Sequence, residues 1–301
     1  MEWMVFAAAS AFTFALVSVL DKTLISDHIG SGKIFVSAVG GAQILLGLAT
    51  LPLATYSGFG TSAIIVALLS GVFSGTYLIG MFIIMESQDV SRVVPVVSTY
   101  PIFVALLAFL FLGEQVSLFA WIFVIVTVAG AAMVSLAPKS VNSTEGVSIS
   151  ALLFLLLASM SFGLSQFLSK TIAEEMTMWT QFSLRALGGG VTCISLFLLP
   201  DVRRGLKPLI TNMKTMMLFS LTEVILVFFA ILFFFLSVYS GEIYLTATVM
   251  ATRPLFVFIL TLLLSIPVIG MFSESFRGKA MVTRATGIVL TVGGVIGVSL
   301  T

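Results

Sequence analysis

The chain has 301 residues, of which 59% are hydrophobic and only 9% are charged. Soluble domains carry about 25% charged residues, so this chain has too few to cover a surface that faces water. Its formal net charge of +1 gives no field to attract nucleic acid. One cysteine, Cys193, and one histidine, His28, exclude a disulfide framework and a Cys- or His-based metal site. The composition is that of an integral membrane protein, for which we expect no cofactor, no metal and no nucleic-acid partner.

Ten apolar segments are long enough to cross a bilayer as helices, since a helix needs about 20 apolar residues to span roughly 30 Å of hydrocarbon. Charges and short polar stretches divide the chain into spans at 3 to 21, 33 to 52, 62 to 86, 93 to 112, 118 to 137, 149 to 170, 178 to 199, 214 to 238, 245 to 269 and 283 to 300. The first span lacks a basic leader, so we expect it to stay in the mature protein. The sequence predicts an all-α membrane protein of ten transmembrane helices without a soluble domain.

Three segments of the first half recur in the second half in the same order. Residues 10 to 23 lie over 158 to 171, 99 to 104 over 252 to 257, and 127 to 136 over 291 to 300. We therefore predict two five-helix repeats, residues 1 to 140 and residues 141 to 301. Because five crossings are an odd number, the second repeat starts on the opposite side of the membrane and is inverted. Such inverted repeats are typical of alternating-access transporters.

The fourth, fifth, ninth and tenth spans carry proline and glycine motifs. They are VVPVVSTYPIFVALLAFLFLGE (93 to 114), the glycine region at Gly130, EIYLTATVMATRPLFVFIL (242 to 260), and Gly287, Gly293, Gly294 and Gly297. With these motifs nearly the whole chain resembles the EamA-type ten-helix members of the drug/metabolite transporter superfamily. The resemblance implies a basket of ten helices, a central cavity lined mainly by helices other than the fifth and tenth, and small metabolites as cargo.

Three ionisable residues lie inside predicted spans, where a charge costs about 3 kcal/mol on insertion scales. They are Arg185 in the seventh span, Glu223 in the eighth and Arg253 in the ninth. At about 1.5 Å per residue their depths differ by only about 5 Å. The matched positions of the first repeat are all uncharged: Ser37, Ser70 and Tyr100. We therefore expect the three charges to meet near the midplane and the second repeat alone to carry the ionic chemistry.

Two interpretations of these charges stay open. In the functional one, Glu223 and an arginine bind a substrate of both charges, or Glu223 exchanges a proton or another cation while an arginine holds a carboxylate. In the structural one, an ion pair joins the eighth helix to the ninth. Two arginines and one glutamate leave a positive charge for an anion, which favours the functional interpretation. Arg185 is the weaker candidate, because a side chain about 10 Å deep is able to snorkel to the interface.

Tyr77 and Tyr100 share the depth of Glu223, which predicts an aromatic wall around the substrate, with plain interhelical hydrogen bonds as the alternative. Gln43 and Gln166 are further polar candidates, more consistent with helix contacts. Small and polar residues of the eighth span recur at helical spacing and form one stripe: Ser220, Glu223, Ala230 and Ser237. This stripe predicts that Glu223 faces the inside of the protein, away from lipid. The Phe-rich run at 228 to 236 predicts lipid-facing or packing surface.

Pro101 and Pro254 match across the repeats, and each removes a helix hydrogen bond, so we predict a hinge in each half. The small-residue spacings at 71 and 75 and at 293 and 297 predict close helix packing. Through the spacing at 293 and 297 the tenth helix packs either on the fifth helix or on a second protomer. A homodimer through the tenth helix is therefore one of two alternatives.

Lysine and arginine lie mostly on one side of the predicted membrane. The loops after odd-numbered spans hold Lys22, Lys33, Arg92, Lys139, Arg203, Arg204, Lys207, Lys214, Arg277, Lys279 and Arg284, and the opposite side holds Lys170. The positive-inside rule therefore places the odd loops in the cytoplasm and both termini outside. The resemblance to EamA-type proteins implies the reverse. We expect the termini outside, in a multi-pass protein of the cell membrane if the source is prokaryotic.

These observations predict a secondary-active transporter of small polar metabolites. Amino acids or similar zwitterions are favoured because Glu223 and Arg253 offer one charge of each sign. The alternative is an organic-anion or sugar-phosphate exchanger with Arg185 and Arg253 as anion clamps. A cation channel lacks a ring of like charges. We expect no enzyme and no catalytic residue, and the glycines at 188 to 190 lack the lysine of a nucleotide-binding loop.

Overall fold

The computed structural model describes residues 2–55, 57–88, 90–136, 149–264 and 279–300, and every regular element in these ranges is helical. Within these ranges, seven helices are long and apolar enough to cross a membrane: Glu2–Ile29, Gly32–Leu53, Thr61–Ser87, Ile149–Thr171, Met178–Leu198, Met213–Ser240 and Ile243–Thr261. Three shorter apolar helices accompany them: Tyr100–Leu112, Leu118–Gly130 and Thr286–Val298. The all-α membrane fold is confirmed. Seven long and three shorter helices agree with the ten predicted spans, which as a count stay a prediction.

The described part of the chain contains fifteen α-helices: α1 Glu2–Thr23, α2 Gly32–Thr50, α3 Thr61–Ser87, α4 Val90–Val97, α5 Tyr100–Leu107, α6 Leu118–Leu136, α7 Ile149–Thr171, α8 Met178–Ile194, α9 Pro200–Gly205, α10 Lys207–Thr211, α11 Met213–Ser220, α12 Val227–Ser240, α13 Ile243–Met250, α14 Arg253–Leu264 and α15 Lys279–Ser299. Turns of π-helix follow α1, α5 and α11 at Leu24–Ile29, Ala108–Leu112 and Leu221–Leu226. The predicted repeat boundary at 140, the end of the ninth span at 269, Lys139 and Arg277 lie outside the described residues.

The fourth and ninth spans are each built from two helices with a break between them. α5 begins at Tyr100, directly before Pro101, and α14 begins at Arg253, directly before Pro254. Proline has no N–H to donate to the preceding turn and is favoured in the first turn of a helix, so it ends one helix and starts the next. The two matched prolines therefore mark equivalent breaks, and their role as hinges stays a prediction.

A lysine near the end of the first helix of each half caps the third long helix of that half. Lys22 Nζ donates to two carbonyls at the end of α3, at 2.8 and 3.1 Å. Lys170 Nζ donates to two carbonyls at the end of α12, at 3.1 and 2.8 Å. A cation is favourable at a helix C-terminus, where carbonyls lack partners. The two lysines are aligned in the sequence, and α1 packs on α12 as α7 packs on α3. These matching contacts agree with the predicted inverted repeat.

Helix α8 of the second half lies against α2 and α3 of the first half at a distance that only glycine allows. A Cβ on Gly188 would approach the carbonyl oxygen of Leu68 to less than 3.0 Å, and a Cβ on Gly71 would do the same at the carbonyl of Arg185. Real Cβ atoms essentially never come this close. The predicted packing role of the glycine pair at 71 and 75 thus has a partner, the glycine run of α8. Because Arg185 lies one turn before this run, the contact fixes its depth.

The tenth helix packs on the fifth, since α15 and α6 contact each other along their length. A Cβ on Gly294 would meet Thr127, and a Cβ on Gly297 would meet the ring of Phe123. A Cβ on Gly293 would meet no atom within 4 Å. Only the second glycine of the spacing at 293 and 297 therefore packs on α6. A homodimer through the other face of α15 stays a prediction.

We expect Gly188→Ala to lower the free energy of unfolding by about 1 to 3 kcal/mol, as overpacking does elsewhere. The added methyl group meets the backbone of Leu68, which has no rotamer with which to move away. Gly293→Ala is the matched control, because its Cβ enters open space and alanine favours a helix over glycine by about 1 kcal/mol. Thermal unfolding of both purified variants in detergent measures the difference. An equal loss in both variants would contradict this account of the packing.

Candidate functional site

A central cavity lies between the two halves, with a volume of about 800 Å³ including its mouth. Its wall comes from α1, α2 and α3 of the first half, and from α7, α8, the turn Leu221–Leu226, α12 and α14 of the second. Among the described residues, neither α6 nor α15 contributes to it. Concave sites between the helices of a bundle, lined mainly by apolar and aromatic side chains with a few polar groups, are typical places for small molecules to bind. The position and lining of this cavity therefore make it the candidate site.

The structure brings the three predicted charges into this one cavity. Arg185, Glu223 and Arg253 all line it, and their side chains are only 8%, 2% and 9% exposed. Arg185 therefore does not snorkel to the interface, since its guanidinium is buried on the cavity wall. Side chains of both charges face one space that is shielded from lipid.

A fourth charge, Asp21 of α1, lines the same cavity and is only 1% exposed. The expectation that the second repeat alone carries the ionic chemistry is therefore wrong. The first span was predicted to end at residue 21, but the helix continues through a π-helical turn to Ile29, so Asp21 lies inside it. Leu24 and Ile25, both buried, are the signal that the apolar segment continues. With Asp21 the cavity holds two carboxyl groups and two guanidinium groups, and the excess positive charge disappears.

The two carboxyl groups lie close enough to each other for a side-chain hydrogen bond. Both oxygens of Asp21 and Oε1 of Glu223 are buried without a donor. Oε1 of Gln166, on the same wall, also has no donor and belongs to a side chain that is 1% exposed. Among the described residues on the cavity wall, the fully buried side-chain atoms without a partner in the protein are thus all acceptors.

Glu223 lies in the π-helical turn Leu221–Leu226, an element that is frequent at functional sites. The wider turn shifts the register of the helix, because each π turn holds more residues than an α turn. Ala230 and Ser237 are buried with Glu223, as the predicted stripe requires, but Ser220 before the turn is exposed. The stripe is therefore correct after the π turn and wrong before it.

Arg253 joins α14 to the first half of the chain. Its Nε donates to Ser18 Oγ at 3.1 Å, its Nη2 donates to the same hydroxyl, and its Nη1 donates to Tyr77 Oη at 3.0 Å. Its guanidinium carbon lies 5.5 Å from the ring centre of Phe14. The hydrogen bonds of Arg253 thus go to neutral hydroxyls on α1 and α3 rather than to Glu223. This arrangement differs from the ion pair between the eighth and ninth helices that one interpretation expects.

Arg185 packs against two aromatic rings, and the structure gives its guanidinium one hydrogen bond to the protein. Nη1 donates to Ser169 Oγ at 2.7 Å, and the guanidinium carbon lies 5.0 Å from the ring centre of Phe234 and 5.8 Å from that of Phe235. Such contacts stabilise a cation by about 0.5 to 2 kcal/mol. One face of the Phe-rich run therefore faces the cavity and its arginine, while Phe229 on another face is 44% exposed.

The two predicted tyrosines have different places. Tyr77 lines the cavity, stacks on Phe162 with ring centres 4.3 Å apart, and donates to Met81 Sδ at 3.1 Å. Tyr100 lies in a smaller pocket beside the helix breaks, where it packs on Phe162 at 4.7 Å and donates to the carbonyl of Ala247 at 3.3 Å. Tyr77 thus forms part of the cavity wall, and Tyr100 makes an interhelical hydrogen bond behind it. Gln43, like Gln166, lines the cavity.

Comparisons with known proteins agree with this architecture. One matching solved structure, titled "Crystal structure of protein", is 14% identical with a TM-score of 0.69, and the match covers 99% of this chain and 96% of that chain. It supports the helical fold over the whole length. A comparison with curated proteins found no match.

A family model points to a transporter. Residues 1–136 match the model described as the EamA-like transporter family. The members of this family are transporters, which agrees with the multi-pass membrane architecture of the helices described above. The match covers less than half of the 301 residues, and it agrees with the resemblance to the drug/metabolite transporter superfamily seen in the sequence.

Proposed function

We propose that this membrane protein is a secondary-active transporter, which carries small zwitterions such as amino acids by alternating access through the central cavity. The observation that supports this proposal is a buried cavity wall with two carboxyl groups and two guanidinium groups on it. A zwitterion complements both signs at once. A neutral or singly charged cargo would leave one kind of charge without a partner, which costs free energy in a buried site.

The unsatisfied atoms suggest which end of the cargo binds where. An ammonium group supplies the donors that Asp21, Glu223 and Gln166 lack. A carboxylate binds Arg185, because a guanidinium has five N–H donors and the structure gives Arg185 one hydrogen-bond partner, Ser169. Arg253 uses three nitrogens on Ser18 and Tyr77. We propose that it adds positive charge to the site and holds the Tyr77 wall.

Alternating access needs helices that change shape, and the two breaks supply them. The break before Pro101 adjoins the first residue of α5, Tyr100, and the break before Pro254 adjoins the first residue of α14, Arg253. Bending at either break would move one of these side chains relative to the cavity. We propose that the two prolines act as paired hinges, one in each half.

An organic-anion or sugar-phosphate exchanger with Arg185 and Arg253 as clamps is the second candidate. The two arginines on one wall favour it. Asp21 weakens it, because a second carboxyl group, when ionised together with Glu223, repels an anionic cargo and cancels the excess positive charge. A thermal-stability screen with amino acids and with phosphorylated metabolites distinguishes the two candidates.

The test is the thermal stability of the purified full-length protein in detergent with L-amino acids, quaternary amines or phosphorylated metabolites. A ligand that binds the folded state raises the free energy of unfolding by mass action, by about 2.7 kcal/mol at a concentration 100 times its Kd. The apparent melting temperature rises with it. We expect amino acids to stabilise the protein and to enter proteoliposomes that contain it. Quaternary amines have no N–H to donate and should have a smaller effect. Stabilisation by phosphorylated compounds alone would favour the exchanger and contradict the proposal.

A further inference from the structure

Asp21 and Glu223 come from different halves of the chain and meet on one wall of the cavity. Asp21 lies on α1 and Glu223 on the π-helical turn before α12, and both side chains are at most 2% exposed. Their carboxyl groups are within hydrogen-bonding reach of each other. Three of their four oxygens, Oδ1 and Oδ2 of Asp21 and Oε1 of Glu223, have no donor. The pair is therefore a buried contact between two groups that in their ionised forms only accept.

A hydrogen bond between two carboxyl groups requires a proton on one of them. Two carboxylate ions at this distance in a buried site repel each other strongly, and sharing a proton removes that repulsion. Arg253 does not replace the proton as a donor, since its nitrogens donate to Ser18 and Tyr77. The hydrogen bond that the structure gives Arg185 goes to Ser169 and to neither carboxyl group. A proton shared between the two carboxyl groups is the smallest cation that satisfies this contact.

A metal ion fits this place less well than a proton. In the part of the chain that the structure describes, no group of three or more His, Cys, Asp or Glu side chains is arranged to hold a metal. Calcium takes six to eight oxygen ligands and magnesium demands near-octahedral geometry, whereas the unsatisfied acceptors here come from two carboxyl groups and the amide of Gln166. A proton needs only the two carboxyl groups.

The other charged and titratable groups around the pair come from three helices. They are Arg253 on α14, Arg185 and Cys193 on α8, and Tyr77 on α3. The two guanidinium groups balance two carboxylates when both are ionised, and they leave a charge of +1 when one proton is shared. Protonation of the pair therefore changes the net charge of the cavity.

We propose that Asp21 and Glu223 hold one proton between them in the substrate-free cavity, as a proton-binding site on the transport path. The coupling of proton release to cargo binding rests on the proposed function, in which the same oxygens accept hydrogen bonds from the cargo's ammonium group. When the ammonium binds, the O–H bond of the shared acid breaks and the proton passes to water in the mouth of the cavity. Proton and amine then occupy the site in turn, which links transport to a proton gradient.

Infrared spectroscopy of the purified full-length protein at pH 7, in H2O and in D2O, tests the site directly. A neutral carboxylic acid has a carbonyl band, distinct from that of a carboxylate, which shifts on deuteration. We expect such a band in the wild type and its loss in Asp21→Asn and in Glu223→Gln. Each amide supplies an N–H donor to the remaining carboxylate, which no longer needs the proton. Glu174→Gln, at an exposed position between α7 and α8, is the matched control and should keep the band.

Two results would overturn the proton site: a wild-type spectrum at pH 7 without this band, or a band that both cavity variants retain. If Asp21→Asn does not fold, Asp21→Ser replaces it, because Ser169 is the residue at the aligned position of the second half. The spectrum needs no cargo, so the two proposals fail separately. Uptake of zwitterions without the band refutes the proton site alone, and the expected band without uptake of any zwitterion refutes the proposed cargo alone.

Discussion

Arg185→Leu should lower kcat/KM for a zwitterionic cargo by at least about 30-fold, because removing one partner of a buried hydrogen-bonded charge pair costs about 2 to 5 kcal/mol. Leucine keeps apolar contact with Phe234 and Phe235 but leaves the cargo's carboxylate without its cation. The loss should be selective. The amine obtained by removing the carboxylate from the same cargo should lose far less, since it makes no bond to Arg185.

Arg253→Leu is the matched comparison for this experiment. Arg253 donates to Ser18 and Tyr77, so its loss should loosen the cavity wall and lower uptake of the amino acid and of the amine by similar factors. Initial uptake rates into proteoliposomes, with each variant's folded fraction measured by size-exclusion chromatography, give both ratios. If Arg253→Leu instead shows the selective loss, the carboxylate binds Arg253, as one interpretation of the sequence holds. Equal factors for both cargoes in both variants would refute the carboxylate site.

Glu223→Gln should abolish accumulation of cargo driven by a pH gradient. Glutamine has nearly the shape of glutamate and makes hydrogen bonds, but it neither gains nor loses a proton at this position. Exchange of labelled for unlabelled cargo across the membrane involves no net proton movement and should persist at a measurable rate. The measurement is uptake into proteoliposomes with an imposed pH gradient, compared with exchange at equal pH on both sides.

Glu174→Gln serves as the control here as well, because it changes an exposed carboxyl group outside the cavity. It should accumulate cargo like the wild type. Gradient-driven accumulation by Glu223→Gln at the wild-type rate would show that this carboxyl group has no part in coupling.

The membrane fold was readable from the sequence because its signals are local. Apolar runs of sufficient length predict helices, and a proline within a run predicts a break, as at Pro101 and Pro254. The end of the first helix was not readable. Ser26, Asp27 and His28 look like a loop, yet a π-helical turn carries the helix across them to Ile29. Leu24 and Ile25 extend the apolar run by two residues, but nothing in the sequence marks the π-helical turn that follows from them to Ile29.

The candidate site was readable only where a charge interrupts an apolar run. Arg185, Glu223 and Arg253 stand out in this way, and the structure places all three on one cavity. Asp21 does not, because Lys22 and Thr23 follow it and the three together read as a helix end. The serines that bind the arginines were equally hidden, since serine is common in membrane helices and distances between helices are not local information.

The close contact of α8 with α2 and α3 has a consequence for biosynthesis. The chain emerges from the ribosome with its first half complete before α8 exists, so the glycine surface around Gly71 is then without the helix that it is shaped to receive. Final packing of the first half must wait for the second. Two halves produced as separate polypeptides should therefore have to be made together in one membrane to assemble, although each would carry one of the two predicted repeats.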